Sequence, residues 1–306
     1  MAEENKTNQK EKPADRTAFN YCVSFIDLLG QRDAVRGQGL LPSFKSDDEK
    51  EEFYSVIRNS VGAIHRLQQQ AETILEGALK ERGDSPIRAK LTLEEQKEWD
   101  EMGLARVTTQ RWSDGLVSFT CLGDSLVKCP MNAVFGIFAL AGSICLLGLG
   151  GRRPVRGAID VAWGVELRLG ELYGPVVARA YELESEFAQY PRIIVSPQAV
   201  QFLEAHCKNL EQDRFSQLNR SLAGVCRNML IRDVDGLVIL HYLGEEFQKS
   251  VSHAVHSELY DKARTFVGEQ LEQHRKSGNS KLAFRYSHLA LYFDTYAPGR
   301  SENPEA

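Results

Sequence analysis

Two aspartates stand where ordinary core chemistry would not put them. Asp27 interrupts the apolar run YCVSFIDLLG (21–30), and Asp114 sits between two strand-forming runs in RWSDGLVSF. An ionised carboxylate among apolar side chains is costly unless a cation, a metal or several N–H donors compensate it. Two carboxylates brought to one rim suit magnesium or manganese carrying a nucleoside triphosphate, because these hard cations take oxygen ligands and keep several waters. Read singly, each has a plainer use: Asp114 as a turn former, Asp27 as a buried acceptor of backbone N–H bonds.

Other chemistry-bearing patterns are poorer. GLGG (148–151) ends a helical run instead of opening one, so it reads as a helix stop and not a dinucleotide fingerprint. No GxxxxGK[ST] phosphate loop and no GxSxG elbow occurs. His253 and His256 have helical metal-ligand spacing but no third ligand, and read as a solvated helix face. Asp233 and Asp235 in RDVDG read as turn residues. The six cysteines form no CxxC pair and mostly sit in apolar runs, as buried thiols of a reducing, cytoplasmic compartment do. With a formal net charge of −5 and no long basic block, duplex nucleic acid is not an expected partner.

The elements that must position the two aspartates follow from periodicity. Of 306 residues, 42% are hydrophobic, enough for a sizeable core. Residues 1–18 are polar, lack the apolar centre of a signal peptide and read as a disordered tail. Residues 19–29 read as a strand ending at Asp27, and 30–50 as a loop-rich stretch. Apolar spacing predicts a helix over 53–82, and Thr92 followed by Glu94 and Glu95 predicts an N-cap for another over 91–104. Runs at 106–112 and 116–121, around Asp114-Gly115, predict a hairpin.

The uncharged segment Ala133–Leu149 is barely long enough to span a membrane and is followed at once by strand-like sequence, so it reads as a helix buried against a sheet. Residues 154–165 alternate as a strand or hairpin, a helix starts near Pro175, and PRIIVSP (191–197) reads as a short apolar strand bounded by prolines. A helix over 198–207 and a turn and strand within 232–243 come next. From 248 onward the chain is mostly helical, broken at 276–280. This order implies an α+β fold, an α/β sandwich with a ferredoxin-like βαββαβ core and helices on one face of a mixed sheet. The expected domain covers 19–248, with a helical C-terminal extension over 249–306.

With these elements in place, the sequence resembles the class III nucleotidyl cyclases. FIDLLG looks like their first-strand metal motif, RWSDGLVSF like their hairpin with the second metal aspartate, and VRGAIDVAWG with LYGPVVARAYELE like their next strand, turn and helix. The likeness runs from about Phe19 to about Leu243. It implies that Asp27, Asp114 and the Leu28 carbonyl hold two divalent cations, Mn2+ or Mg2+. The N–H groups of Leu29, Gly30 and Gln31 are then candidates to cradle phosphates. The resemblance also implies a homodimer with active sites at the subunit interface, the metal aspartates coming from one chain and the helix residues from the other.

The departures are informative. The family's helix asparagine falls on Ala178 and its arginine on Glu182, and its base-reading positions fall on Thr108 and Glu171. Arg156 and Arg179 are the candidates for the displaced catalytic cation. The pattern with its helical tail is similar to the pyrimidine cyclases of bacterial anti-phage defence, the Pycsar systems. That likeness implies conversion of UTP to cyclic UMP, with CTP to cyclic CMP as the alternative, and a product read by a separate cyclic-nucleotide-binding effector. A purine cyclase and an inactive nucleotide-binding module remain as further alternatives. No membrane insertion is expected.

Overall fold

The computed structural model describes residues 17–30, 41, 43–80, 88–102, 105–112, 114–251 and 257–298. The expected tail (1–16 of it), Gln31 and the pair His253 and His256 lie outside the described residues.

Strand β1 (Phe19–Leu28) is the axis of the sheet. Successive side chains of a strand point to opposite faces, and both faces of β1 are apolar. Cys22, Ile26 and Leu28 join one hydrophobic cluster; Tyr21, Val23 and Phe25 join the other. Around β1 lie β2 (Thr108–Trp112), β3 (Gly115–Cys121), β4 (Val155–Arg168), β5 (Glu171–Tyr173), β6 (Ile193–Val195), β7 (Leu230–Arg232) and β8 (Val238–Leu240). The order is β2-β3-β1-β4-β6-β8-β7, with β5 paired to β4. β1 runs antiparallel to both β3 and β4, and β4 runs parallel to β6. The sheet is therefore mixed and the fold mixes helices with strands, as expected.

The predicted hairpin forms one residue away from its expected register. Trp112 pairs with Gly115, so Asp114 falls in the turn before β3. Gly115 is a strand residue and Asp114 is the turn residue.

The helices are α1 (Asp47–Lys80), α2 (Leu93–Met102), α3 (Pro130–Gly150), α4 (Pro175–Glu182), α5 (Pro197–Lys208), α6 (Arg214–Asn228), α7 (Glu245–Val251), α8 (Ser257–Lys276) and α9 (Ser280–Tyr296). Thr92 and Glu95 exchange hydrogen bonds ahead of α2, closing the expected cap as a capping box. Helix α6 and strand β7 had no counterpart in the sequence reading.

The apolar helix α3 is the centre of the larger core. By length and composition it could cross a membrane, yet most of it is buried within the protein. Ile137, Phe138, Leu140, Ile144 and Leu146 are wholly buried, and burying such a side chain stabilises by about 2 kcal/mol. At Gly142 a Cβ would lie 2.3 Å from the Phe247 ring, so the residue must be glycine for α7 to approach. Helices α8 and α9 contribute Phe266, Val267, Leu289 and Phe293 to the same cluster, so the C-terminal helices share the core of the sheet.

The expectation of helices on one face alone needs correction. Val176, Val177 and Ala180 of α4, with Leu172 of β5, cover the face bearing Val23 and Phe25. β1 is apolar on both sides, so each side has to be covered.

Candidate active site

Asp27 lies one residue before the end of β1. Its register partners are Gly115 on β3 and Arg156 on β4. Asp114 directly precedes Gly115, and its carbonyl accepts a hydrogen bond from the Leu28 N–H at 3.4 Å. The two aspartates thus occupy neighbouring strand ends, across one inter-strand spacing of about 4.8 Å. Pairing of β1 with the hairpin places the two residues on adjacent strands.

The cation beside Asp27 is Arg156. Its Nη2 is 4.0 Å from Asp27 Oδ2, and its Nε is ion-paired with the Glu184 carboxylate. Glu184 is almost completely buried. It belongs to a single π-helical turn, Leu183–Phe187, that continues α4. Such turns insert one residue and turn side chains away from the regular helical face. Sequence reasoning missed Glu184, because nothing in ELESEF distinguishes the one acid that points inward.

Arg179 is placed elsewhere. Its guanidinium pairs with Asp160 at 3.1 Å and 3.3 Å. Asp160 is paired in register with Val23, four residues along β1 from Asp27, a distance of about 13 Å. Burial raises the Asp160 pKa, and the Ser196 hydroxyl and Arg179 oppose the rise. Arg179 is therefore engaged as the partner of a buried carboxylate, and within one chain it does not share a site with Asp27.

Among the expected phosphate donors, Leu29 is a correction. Its N–H donates to the Pro154 carbonyl at 2.9 Å and is used in holding β1 to the start of β4. Gly30 follows with φ +86°, a left-handed conformation that glycine adopts at no steric cost.

The two base-reading candidates come together at the far end of the hairpin. Thr108 pairs with Phe119 at the level of Val23. A Cβ on Gly170 would lie 3.6 Å from the Thr108 methyl group, and Glu171 is the next residue. Thr108 lies about 13 Å along the strand direction from the level of Asp27 and two strands across from it. Ala178 and Glu182, one helical turn apart on α4, are exposed.

Metal binding can be judged on donor chemistry. Among the described residues no group of three or more His, Cys, Asp or Glu side chains could hold an ion. Two carboxylates at adjacent strand ends are the set that magnesium uses when substrate phosphates and waters complete its shell. Asp27 and Asp114 are carboxylates of that kind on adjacent strand ends, and as two donors they would not make a closed structural metal site.

All six cysteines are free thiols, four of them buried. No protein-family model, no curated protein and no solved structure matches this chain.

Proposed function

We propose that the chain is a nucleotidyl cyclase of the class III type, acting on a pyrimidine nucleoside triphosphate, with UTP as substrate and 3′,5′-cyclic UMP and pyrophosphate as products. The observation that carries this reading is the juxtaposition of Asp27 and Asp114 on hydrogen-bonded strands. The order β4-β1-β3-β2, in which antiparallel β1 and β3 lie at the centre, agrees with the expected ferredoxin-like βαββαβ arrangement and supports the reading further.

In the proposed reaction the ribose 3′-oxygen attacks the α-phosphorus in line and pyrophosphate leaves. Divalent cations held by Asp27 and Asp114 would favour the 3′-alkoxide and offset charge on the leaving group. Arg156, already beside Asp27, supplies fixed positive charge where the phosphoryl oxygens gain charge. Gly30 lets the backbone approach the phosphates closely.

Thr108 stands about 13 Å along the strand direction from Asp27 and two strands away in the same chain, which favours a site completed by a second copy. The β4–β5 hairpin fits that role. It exposes Trp163, Leu167, Leu169 and Tyr173, and Leu169 is 99% accessible. Apolar side chains clustered on a projecting hairpin mark an association surface. The preference for UTP over CTP, and the role of the product as a messenger to a separate anti-phage effector, rest on the family resemblance.

A screen of the four nucleoside triphosphates with manganese, read by mass spectrometry, tests the proposal. Cyclic UMP is the expected product; cyclic AMP or cyclic GMP would overturn the pyrimidine assignment. Ala178 and Glu182, neither of them a cation, favour a second reading as a nucleotide-binding module without turnover. Binding of UTP with no release of pyrophosphate is its signature.

A further inference from the structure

A cavity of about 500 Å³ opens beside the end of β1, between Gly30, the start of β4, the segment Gln189–Pro191 and the C-terminal helices. Three arginines line it: Arg152, Arg156 and Arg285. Among the described residues, no carboxylate does.

The three arginines differ in how they are satisfied. Arg152 is paired with Glu269 at 2.6 Å and lies over the Phe266 ring. Arg156 is tied to Glu184. Arg285, from α9, has a single polar partner among the described residues, the Gln189 carboxamide at 3.5 Å. Burial holds the Arg285 guanidinium below the ordinary arginine value, and the charge of Arg156 lowers it further. Among the described residues, Arg285 therefore faces the cavity with no acid as its partner, while Arg156 beside it is held by Glu184.

Arg192 shows what a structural arginine looks like in this protein. It is buried and paired with Asp233 and Asp235, the latter at 2.6 Å, and it also donates to the Phe187 carbonyl. Arg285 has no such set. A half-buried guanidinium with no acid of its own, near a second arginine, is disfavoured in the free protein, and a polyanion would offset that cost. Guanidinium forks match phosphate oxygens in bidentate geometry.

We propose that this cavity binds a polyphosphate chain, and that Arg285 of the C-terminal helix pair, with Arg156, holds the β- and γ-phosphates of a nucleoside triphosphate whose α-phosphate lies at Asp27. The assignment of the chain to a nucleoside triphosphate rests on the cyclase reading; the binding of polyphosphate does not. It gives the C-terminal helices a direct part in the site.

Isothermal titration of the full chain with inorganic triphosphate, with and without magnesium, tests this. Saturable binding is expected for the unsubstituted protein, weakened at least about tenfold in Arg285→Ala and partly restored in Arg285→Lys. Arg285→Gln, which keeps hydrogen-bonding capacity, serves if the alanine variant unfolds. Arg275→Ala, an exposed arginine of α8, is the control and should bind unchanged. No binding by the unsubstituted protein, or equal binding by the Arg285 variants, overturns the proposal. Triphosphate binding that depends on Arg285 without any cyclic product would retain the pocket and reject the cyclase. Cyclic product formed by Arg285→Ala at unchanged KM would do the reverse.

Discussion

Asp27 and Arg156 are directly paired residues of β1 and β4, with their charged ends 4.0 Å apart. Arg156 also holds Glu184, whose side chain is 2% accessible, while that of Asp27 is 26% accessible. The buried acid anchors the arginine, and the more open acid stays within reach of a ligand. One cation thus serves two carboxylates of different character, one buried and one more accessible.

Removing either proposed metal carboxylate should end turnover and spare the fold. Asp27→Ala and Asp114→Ala are each expected to lower the rate of product formation by at least about a hundredfold. The circular dichroism spectrum should remain that of the unsubstituted chain. Activity surviving in either variant would remove the two-metal mechanism.

Glu184→Gln should act on both stability and site. It takes the buried charge away from Arg156, and the part of Arg156 that is accessible limits the cost to about 2 kcal/mol. Urea denaturation measures that loss. If Glu184 anchors the arginine, KM for the triphosphate rises in the same variant.

The exposed hairpin predicts an oligomeric effect. Replacing Leu169 and Tyr173 together by serine should shift the chain from dimer to monomer in light scattering and abolish turnover. Both side chains are already accessible in the single chain, so the melting temperature of the protomer should change little. An active monomer would refute the composite site.

Acid should loosen the C-terminal helices through His241. Its Nδ1 lies 2.8 Å from the Tyr292 hydroxyl of α9, and burial lowers its pKa to about 4. The unfolded value is near 6.5, so the folded state holds the ring neutral over a range where the unfolded chain protonates it. The stability this represents is complete above pH ~6.5, falls as pH drops, and is lost below about 4, an amount of up to about 3 kcal/mol. Urea titrations across that range should show the decline in the unsubstituted protein and lack that part of it in His241→Gln.

Arg192→Met should be among the most destabilising single changes, at about 3 kcal/mol, because it strands Asp233 in a largely buried position. The same change should weaken triphosphate binding, since Gln189 and Tyr190 of the neighbouring segment form part of the cavity wall. Unaltered urea midpoints would contradict the role assigned to this pair.

The amino-acid sequence alone determined the parts whose signal is local. The carboxylate in an apolar strand, the turn at Asp114, the cap at Thr92 and the self-covered apolar helix α3 all follow from alternation, turn chemistry and helical spacing. These depend on neighbours within a few residues. Tertiary structure alone decided which charges meet. Arg179 is taken up by Asp160, Arg156 by Glu184, and the Leu29 N–H by Pro154. Arg285, more than a hundred residues beyond Arg156, arrives at the same cavity because α9 packs into the core beneath the sheet. Ion pairing falls off within a few ångströms and ignores sequence distance, so it becomes readable only after the helices have docked.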